Sequence, residues 1–191
     1  MPQRTSSCDD YNDDGNSLVY IVNNPNVQNV YSIYLNKEVG EAEHYRKMFN
    51  LLRTSSSDDR FIIYLNNFGG YVHTGIDIIN SMKACRGKTV AVVSGPLYSM
   101  APLIALSADK LIIEANTFFM FHDYSGGTSG KGHEQHASIT HEKPFFDEMF
   151  HSVTNKFLTP KEIRGVNKGR DLYLKREDIM KRLRKIKRLV E

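Results

Sequence analysis

The 191-residue chain has no apolar run long enough to cross a bilayer. Its longest ones, such as AVVSG and LIIEA, break off after a few residues, whereas a membrane-spanning helix needs ~20. The first sixteen residues, MPQRTSSCDDYNDDGN, hold no apolar stretch of the kind that forms a secretory signal, so the expectation is a soluble chain that stays in the cytoplasm. Cysteine is scarce: Cys8 and Cys85 alone provide neither a disulfide framework nor a CxxC redox motif. There is no HExxH and no Cys/His set with zinc spacing, and neither a metal nor an organic cofactor is expected. A phosphate loop is missing too, since Gly70-x-x-x-x-Gly75 is followed by Ile76 rather than Lys and Ser/Thr.

What is present suits one folded domain. Hydrophobic residues make up 40% of the chain and charged ones 25%, enough apolar material for one core at ~100–200 residues per domain. Residues 1–16, with four Asp and one Arg, are read as a mobile polar segment, and residues 17–191 as the domain. The net charge of +3 is uneven: residues 161–191 carry twelve Lys/Arg against five Asp/Glu, and the remainder thirteen against seventeen. Within that basic tail Ile179, Met180, Leu183, Ile186 and Leu189 recur at helical spacing, the stripe of an amphipathic helix with a solvated basic face. No aromatic residue is interleaved with the charges of KRLRKIKRLVE, so nucleic acid is not an expected partner.

The pattern along the chain alternates between strand and helix. LVYIV and VYSIYL flank the turn NNPN as two strands. Ala42, Tyr45, Met48, Phe49 and Leu52 follow a helical period; FIIYL (61–65) is a strand; Ile76, Ile79 and Met82 mark a helix. TVAVVSG (89–95) is a second buried strand, leading into a small-residue helix over Ser99–Ser107, and KLIIEA (110–115) and FFMF (118–121) are two more strands. Buried, unalternating strands separated by helices predict a largely parallel sheet of βαβ units. The stretch SGGTSGKG (125–132) is followed by Phe145, Phe146, Met149, Phe150, Val153 and Phe157 at helical spacing, and Pro144 puts the start of that helix near Lys143. His133, His136 and His141 in GHEQHASITHE are read as an exposed loop or edge strand rather than as metal ligands.

Three places could carry chemistry. The turn Asn66-Asn67-Phe68-Gly69-Gly70 links a buried strand to a helix, and its two glycines allow backbone angles that leave amides free to donate to an anion. Ser99 stands where a buried strand meets a helix, a position that favours a nucleophile, although by itself a serine there also reads as a helix cap. His122 closes the apolar strand FFMF, where it serves as a general base if a nucleophile and an orienting carboxylate lie nearby.

Taken together, IIYLNNFGGYVHTG (62–75), VVSGPLYSMAPLIALSA (92–108), FFMFHDYSGG (118–127) and GRDLYL (169–174) resemble, in order and spacing, the proteolytic subunit of the Clp protease, a serine peptidase family. The resemblance implies an α/β fold of the ClpP and crotonase type, with stacked parallel β-sheets, flanking helices and a protruding handle at about 125–158. It implies Ser99 as nucleophile, His122 as base and Asp171 as the carboxylate that orients it, with the backbone amides of Gly70 and Met100 as oxyanion donors. Tyr71, Val72, Ser125, Gly126 and Gly127 would line an extended polypeptide substrate. The implied partners are copies of the same chain in two stacked heptameric rings and an AAA+ ATPase unfoldase, with no membrane. The sequence departs from the family pattern at Phe68, which replaces a proline, at Pro96, Leu97 and Tyr98 before the serine, at Asp123 after the histidine, and at Pro144 in the handle. Two further readings are a catalytically idle ring subunit and another acyl-transfer or hydratase enzyme of the crotonase fold.

Overall fold

The computed structural model describes residues 11–12, 18–24 and 27–190, with side chains from residue 29 onward. The two-residue β1 (Tyr11–Asn12) pairs antiparallel with β2 (Leu18–Asn24), which pairs antiparallel with β3 (Val27–Leu35). The remainder of the expected N-terminal segment 1–16 lies outside the described residues. From β3 the sheet becomes parallel, through β4 (Arg60–Asn67) to β5 (Lys88–Tyr98). β6 (Lys110–Ile113) and β7 (Phe118–Phe121) both run parallel to β5 on its other edge: β6 takes Val90–Val93, and β7 takes Leu97 and Tyr98. β8 (Leu172–Lys175) closes the sheet antiparallel to β7.

The strands alternate, except at the centre of β5, where Ala91, Val92 and Val93 are all buried. Phe61, Ile63 and Leu65 of β4 and Ala91 and Val93 of β5 are fully buried, while Ile62 and Tyr64 between them are only half covered. The difference from the expected unalternating runs has a simple cause: α1 (Arg46–Arg53), α2 (Val72–Ala84) and α3 (Met100–Ser107) share one core with the buried strand face, and aromatic pairs such as Tyr34–Tyr64, with ring centroids 4.5 Å apart, cover part of the other. Between Leu65 and Asn67 the β4–β5 register slips by two residues. Gly95 and Pro96 fall in that irregularity, which is where a strand tolerates a residue without an N–H.

Three helices complete the chain: α4 (Gly132–Thr154), α5 (Pro160–Val166) and α6 (Arg176–Lys185). Two expectations are corrected here. The long helix starts at Gly132, not near Lys143, and the segment GHEQHASITHE is helical rather than a loop or edge strand. Side-chain bonds support its first half: Glu134 reaches back to accept from the Lys131 amide at 2.9 Å, and Ser138 donates to Glu142 at 2.7 Å one turn on. Pro144 therefore sits inside the helix, where it removes the bond to the Thr140 carbonyl, and burial of Phe146 and Phe150 holds the following turns. Among the described residues no helix is long and apolar enough to cross a membrane.

Candidate active site

The C-terminal ends of three parallel strands meet at one place. β4 ends in the turn Asn67-Phe68-Gly69-Gly70, β5 in Ser99, and β7 in His122. Asn67, only 2% exposed, fixes the turn: its side-chain carbonyl accepts from the Gly69 amide at 2.7 Å, and its amide donates to the Leu35 carbonyl at 3.1 Å and to that of Lys37. Gly69 and Gly70 have φ of +94° and +130°, angles that strain any other residue. They are also pressed against neighbours. A Cβ on Gly69 would lie 2.6 Å from Ser99 Cβ, and one on Gly70 2.2 Å from the Val39 carbonyl oxygen.

Ser99 itself has φ 59° and ψ −114°, a conformation that non-glycine residues rarely adopt. The angle turns the chain sharply from β5 into α3, so the serine caps nothing; its side chain makes no bond to the helix. Such strain persists only where the surroundings over-determine it, and it gathers at functional sites. Here the Ser99 amide donates to the Met120 carbonyl at 2.9 Å, which ties the elbow to β7 two residues before His122. As a result His122 Nε2 lies 2.7 Å from Ser99 Oγ. With the imidazole neutral and its proton on Nδ1, the hydroxyl donates to Nε2, the geometry a general base needs.

Amide donors lie on both sides of the serine. Met100 opens α3, so its N–H is one of those that a helix leaves without an internal acceptor. Val39 pairs with the turn through Val39 N to Gly69 O, 2.6 Å, and Tyr71 N to Val39 O, 2.8 Å, which passes over the Gly70 N–H. Ser99 and His122 open onto a cleft of about 980 Å³, to which Gly70, Tyr71 and Val72 contribute from the turn and Ser125, Gly126 and Gly127 from the segment after β7. A smaller recess of about 40 Å³ adjoins the same pair and is lined by Met100, Leu103, Phe146, Met149 and Phe150.

Asp171 stands apart. It is exposed, and among the described residues no hydrogen bond or ion pair joins it to His122. The backbone nevertheless brings it close: Phe121 pairs with Leu172 at the end of the β7–β8 ladder, and the next step of that register sets His122 opposite Asp171. Asp123, next to His122 in sequence, turns elsewhere. It accepts from the Tyr124 amide at 3.0 Å and pairs with Lys143 of α4 at 3.4 Å. Motif reading named Asn67 only as part of the turn, and it gave Lys143 and Asp147, which lie beside the recess, no part in the site; for those two the available signal was their i,i+4 spacing on one helix.

The family model described as Clp protease matches residues 19–181. The chain belongs to the Clp protease family. It is 30% identical over 129 residues to ATP-dependent Clp protease proteolytic subunit 2 of Pseudomonas aeruginosa, a match covering 65% of this chain and 63% of that protein. It is 33% identical over 78 residues to proteolytic subunit 3 of Rhizobium etli, covering 40% of each. The matched stretch thus spans less than two thirds of these relatives' length. Among solved structures, a mutant ClpP1 of Listeria monocytogenes superposes with a TM-score of 0.62 at 21% identity, covering 79% of this chain and 86% of that one. That likeness bears on the fold, which is the mixed α/β, crotonase-like architecture expected from the sequence.

Proposed function

We propose that this chain is a serine endopeptidase that hydrolyses peptide bonds of unfolded proteins, with Ser99 as nucleophile and His122 as general base. The observation that carries this reading is the 2.7 Å contact between Ser99 Oγ and His122 Nε2 at a serine held in a strained strand–helix elbow. In acylation Ser99 Oγ attacks the carbonyl carbon while its proton passes to Nε2, and the carbonyl oxygen becomes an oxyanion that accepts from the Gly70 and Met100 amides. One such donor is typically worth ~3 kcal/mol. Collapse breaks the C–N bond, His122 returns its proton to the leaving amine, and a water activated by the same imidazole releases the acyl group. The extended substrate lies along Tyr71 and Val72 on one side and Ser125, Gly126 and Gly127 on the other.

Asp171 is the third member in this reading, orienting the imidazole and stabilising its protonated form once its side chain swings across from β8. The names of the relatives, proteolytic subunits of an ATP-dependent protease, support work in an assembly: a ring of like subunits, stacked as two heptamers through the handle at about 125–158, with an AAA+ ATPase unfoldase supplying the polypeptide. The alternative of an idle ring subunit has one observation in its favour, the missing contact between Asp171 and His122. Cleavage of an unfolded protein and of a short fluorogenic peptide separates the two. Ser99→Ala is expected to abolish both activities and Asp171→Asn to lower them by up to ~10⁴. Hydrolysis that survives Ser99→Ala overturns the proposal, and a full rate in Asp171→Asn removes Asp171 from it.

A further inference from the structure

Two carboxylates that the peptidase reading does not use, Asp123 and Asp147, line the small recess beside Ser99 and His122. Asp123 is joined to the base by a single peptide bond, and a free carboxylate there would do two things. It would compete with Asp171 for the imidazole, and it would favour the protonated ring, which cannot act as base. The structure holds it off. Lys143 of α4 reaches over from the handle and stands between the two acids, 3.4 Å from Asp123 Oδ1 and hydrogen-bonded to Asp147. The second anchor on Asp123 is the Tyr124 amide, and the ammonium group also lies 6.0 Å from the centre of the Tyr124 ring.

Resting on the reading of Ser99 and His122 as nucleophile and base, we propose that Lys143 is a positioning residue for that base: it keeps the Asp123 carboxylate turned away from His122 and cancels its field on the imidazole. The side chains of Lys143, Asp123 and Asp147 are each no more than about a third exposed, so this compensation is less screened than a surface pair. Burial on its own would lower the Lys143 pKa, but the hydrogen bond to Asp147 and the charges of Asp123 and Asp147 outweigh it and the pKa is raised; the ammonium therefore stays charged throughout the working range. The other titratable groups that line the cleft and the recess with His122 are Glu38 and Glu41 ahead of α1, His73 and Asp77 on α2, Glu142 on α4, and Tyr71 and Tyr124; Ser99 and Asn167 are polar neighbours, and Asp171 lies across the β7–β8 pair. Among the described residues that line the cleft and the recess none is a fixed cation, which leaves Lys143 as the group placed to offset Asp123. The arrangement also couples the base to α4, the helix that the family reading assigns to contacts between rings.

The test is the pH at which His122 takes up its proton, read by mass spectrometry as slow deuterium exchange at the imidazole C2–H of the full-length protein. In Lys143→Met that pH is expected to rise by about half to one unit. Lys143→Arg should keep the wild-type value, and Lys143→Met with Asp123→Asn should return to within about 0.2 of it. Asp123→Asn alone leaves the ammonium facing the site and should lower the pH, a variant that stays informative if loss of Lys143 destabilises α4. An unmoved midpoint in Lys143→Met and in Asp123→Asn overturns the proposal. The readout needs no turnover: failure of Ser99 to react with an acylating probe would count against the peptidase reading and leave this result standing on its own.

Discussion

At the scale of single residues, the geometry at Ser99 depends on Gly69 more than on the serine's own neighbours in sequence. The Ser99 hydroxyl is aimed by a backbone that has no room for a methyl group: a Cβ at Gly69 would sit 2.6 Å from Ser99 Cβ, 2.9 Å from the Tyr98 carbonyl and 3.0 Å from the Met100 amide. Gly69→Ala is therefore expected to displace both the hydroxyl and one oxyanion donor, to strain the turn by about 1–3 kcal/mol, and to slow acylation of Ser99 at least tenfold while the far-UV spectrum is unchanged. Wild-type acylation in that variant would mean the turn is not part of the site. Phe68, which stands where the family pattern has a proline, leaves this geometry intact, because the close contacts belong to the two glycines and Asn67. It stacks on Tyr98 at 5.2 Å instead.

At the scale of elements, the order and type of the first strands and helices were legible because they rest on local period: LVYIV, VYSIYL, FIIYL, TVAVVSG and FFMF all became strands, and Ile179, Met180 and Leu183 mark α6. What was not legible depended on partners far away in the chain. The sequence expectation starts α4 near Lys143, since a proline inside a helix costs ~3 kcal/mol; the helix runs through Pro144 because Phe146 and Phe150 are buried beyond it. Pro144→Ala should then stabilise the protein by about 1–3 kcal/mol, seen as a melting temperature higher by roughly 2–4 °C per kcal/mol, with Ser99 acylation unaltered. A lower melting temperature would show that the helix needs its proline. α5 was missed although its start carries a readable signal: Thr159-Pro160-Lys161-Glu162 is a capping box with proline at the first helical position, and Thr159 and Glu162 exchange the expected bonds. Ser99, His122 and the Gly-Gly turn could be named from motifs, but their convergence is a property of the sheet: β4, β5 and β7 all end on one side only because they run parallel.

At the scale of the molecule, the C-terminal elements are held to the sheet by the β7–β8 ladder and by Arg176, which donates to the Ile113 and Glu114 carbonyls, and a bidentate ion pair locks α6 onto α5. Arg182 of α6 donates to both oxygens of Glu162 in α5, at 2.7 and 2.9 Å, and to the Phe157 carbonyl at 3.2 Å. The hydrogen bond from Arg182 carries the Glu162 carboxyl down from 4.5 to about 2. A carboxylate with a depressed pKa stabilises the fold above its unfolded value, and that stability is lost as pH falls from about 4.5 toward 2; the amount is at most ~3 kcal/mol. Denaturant titrations at pH 6 and pH 3 should show a smaller loss of stability in Glu162→Gln than in the wild type, and equal losses would contradict the assignment.

Whether Ser99 is an activated nucleophile is read most directly from intact mass after exposure to a fluorophosphonate, with Ser99→Ala alongside and both proteins sized on a column. One adduct per wild-type subunit, mapped to Ser99, is expected, and none on Ser99→Ala. An assembled wild-type ring that takes up no adduct would contradict the assignment of Ser99 as nucleophile.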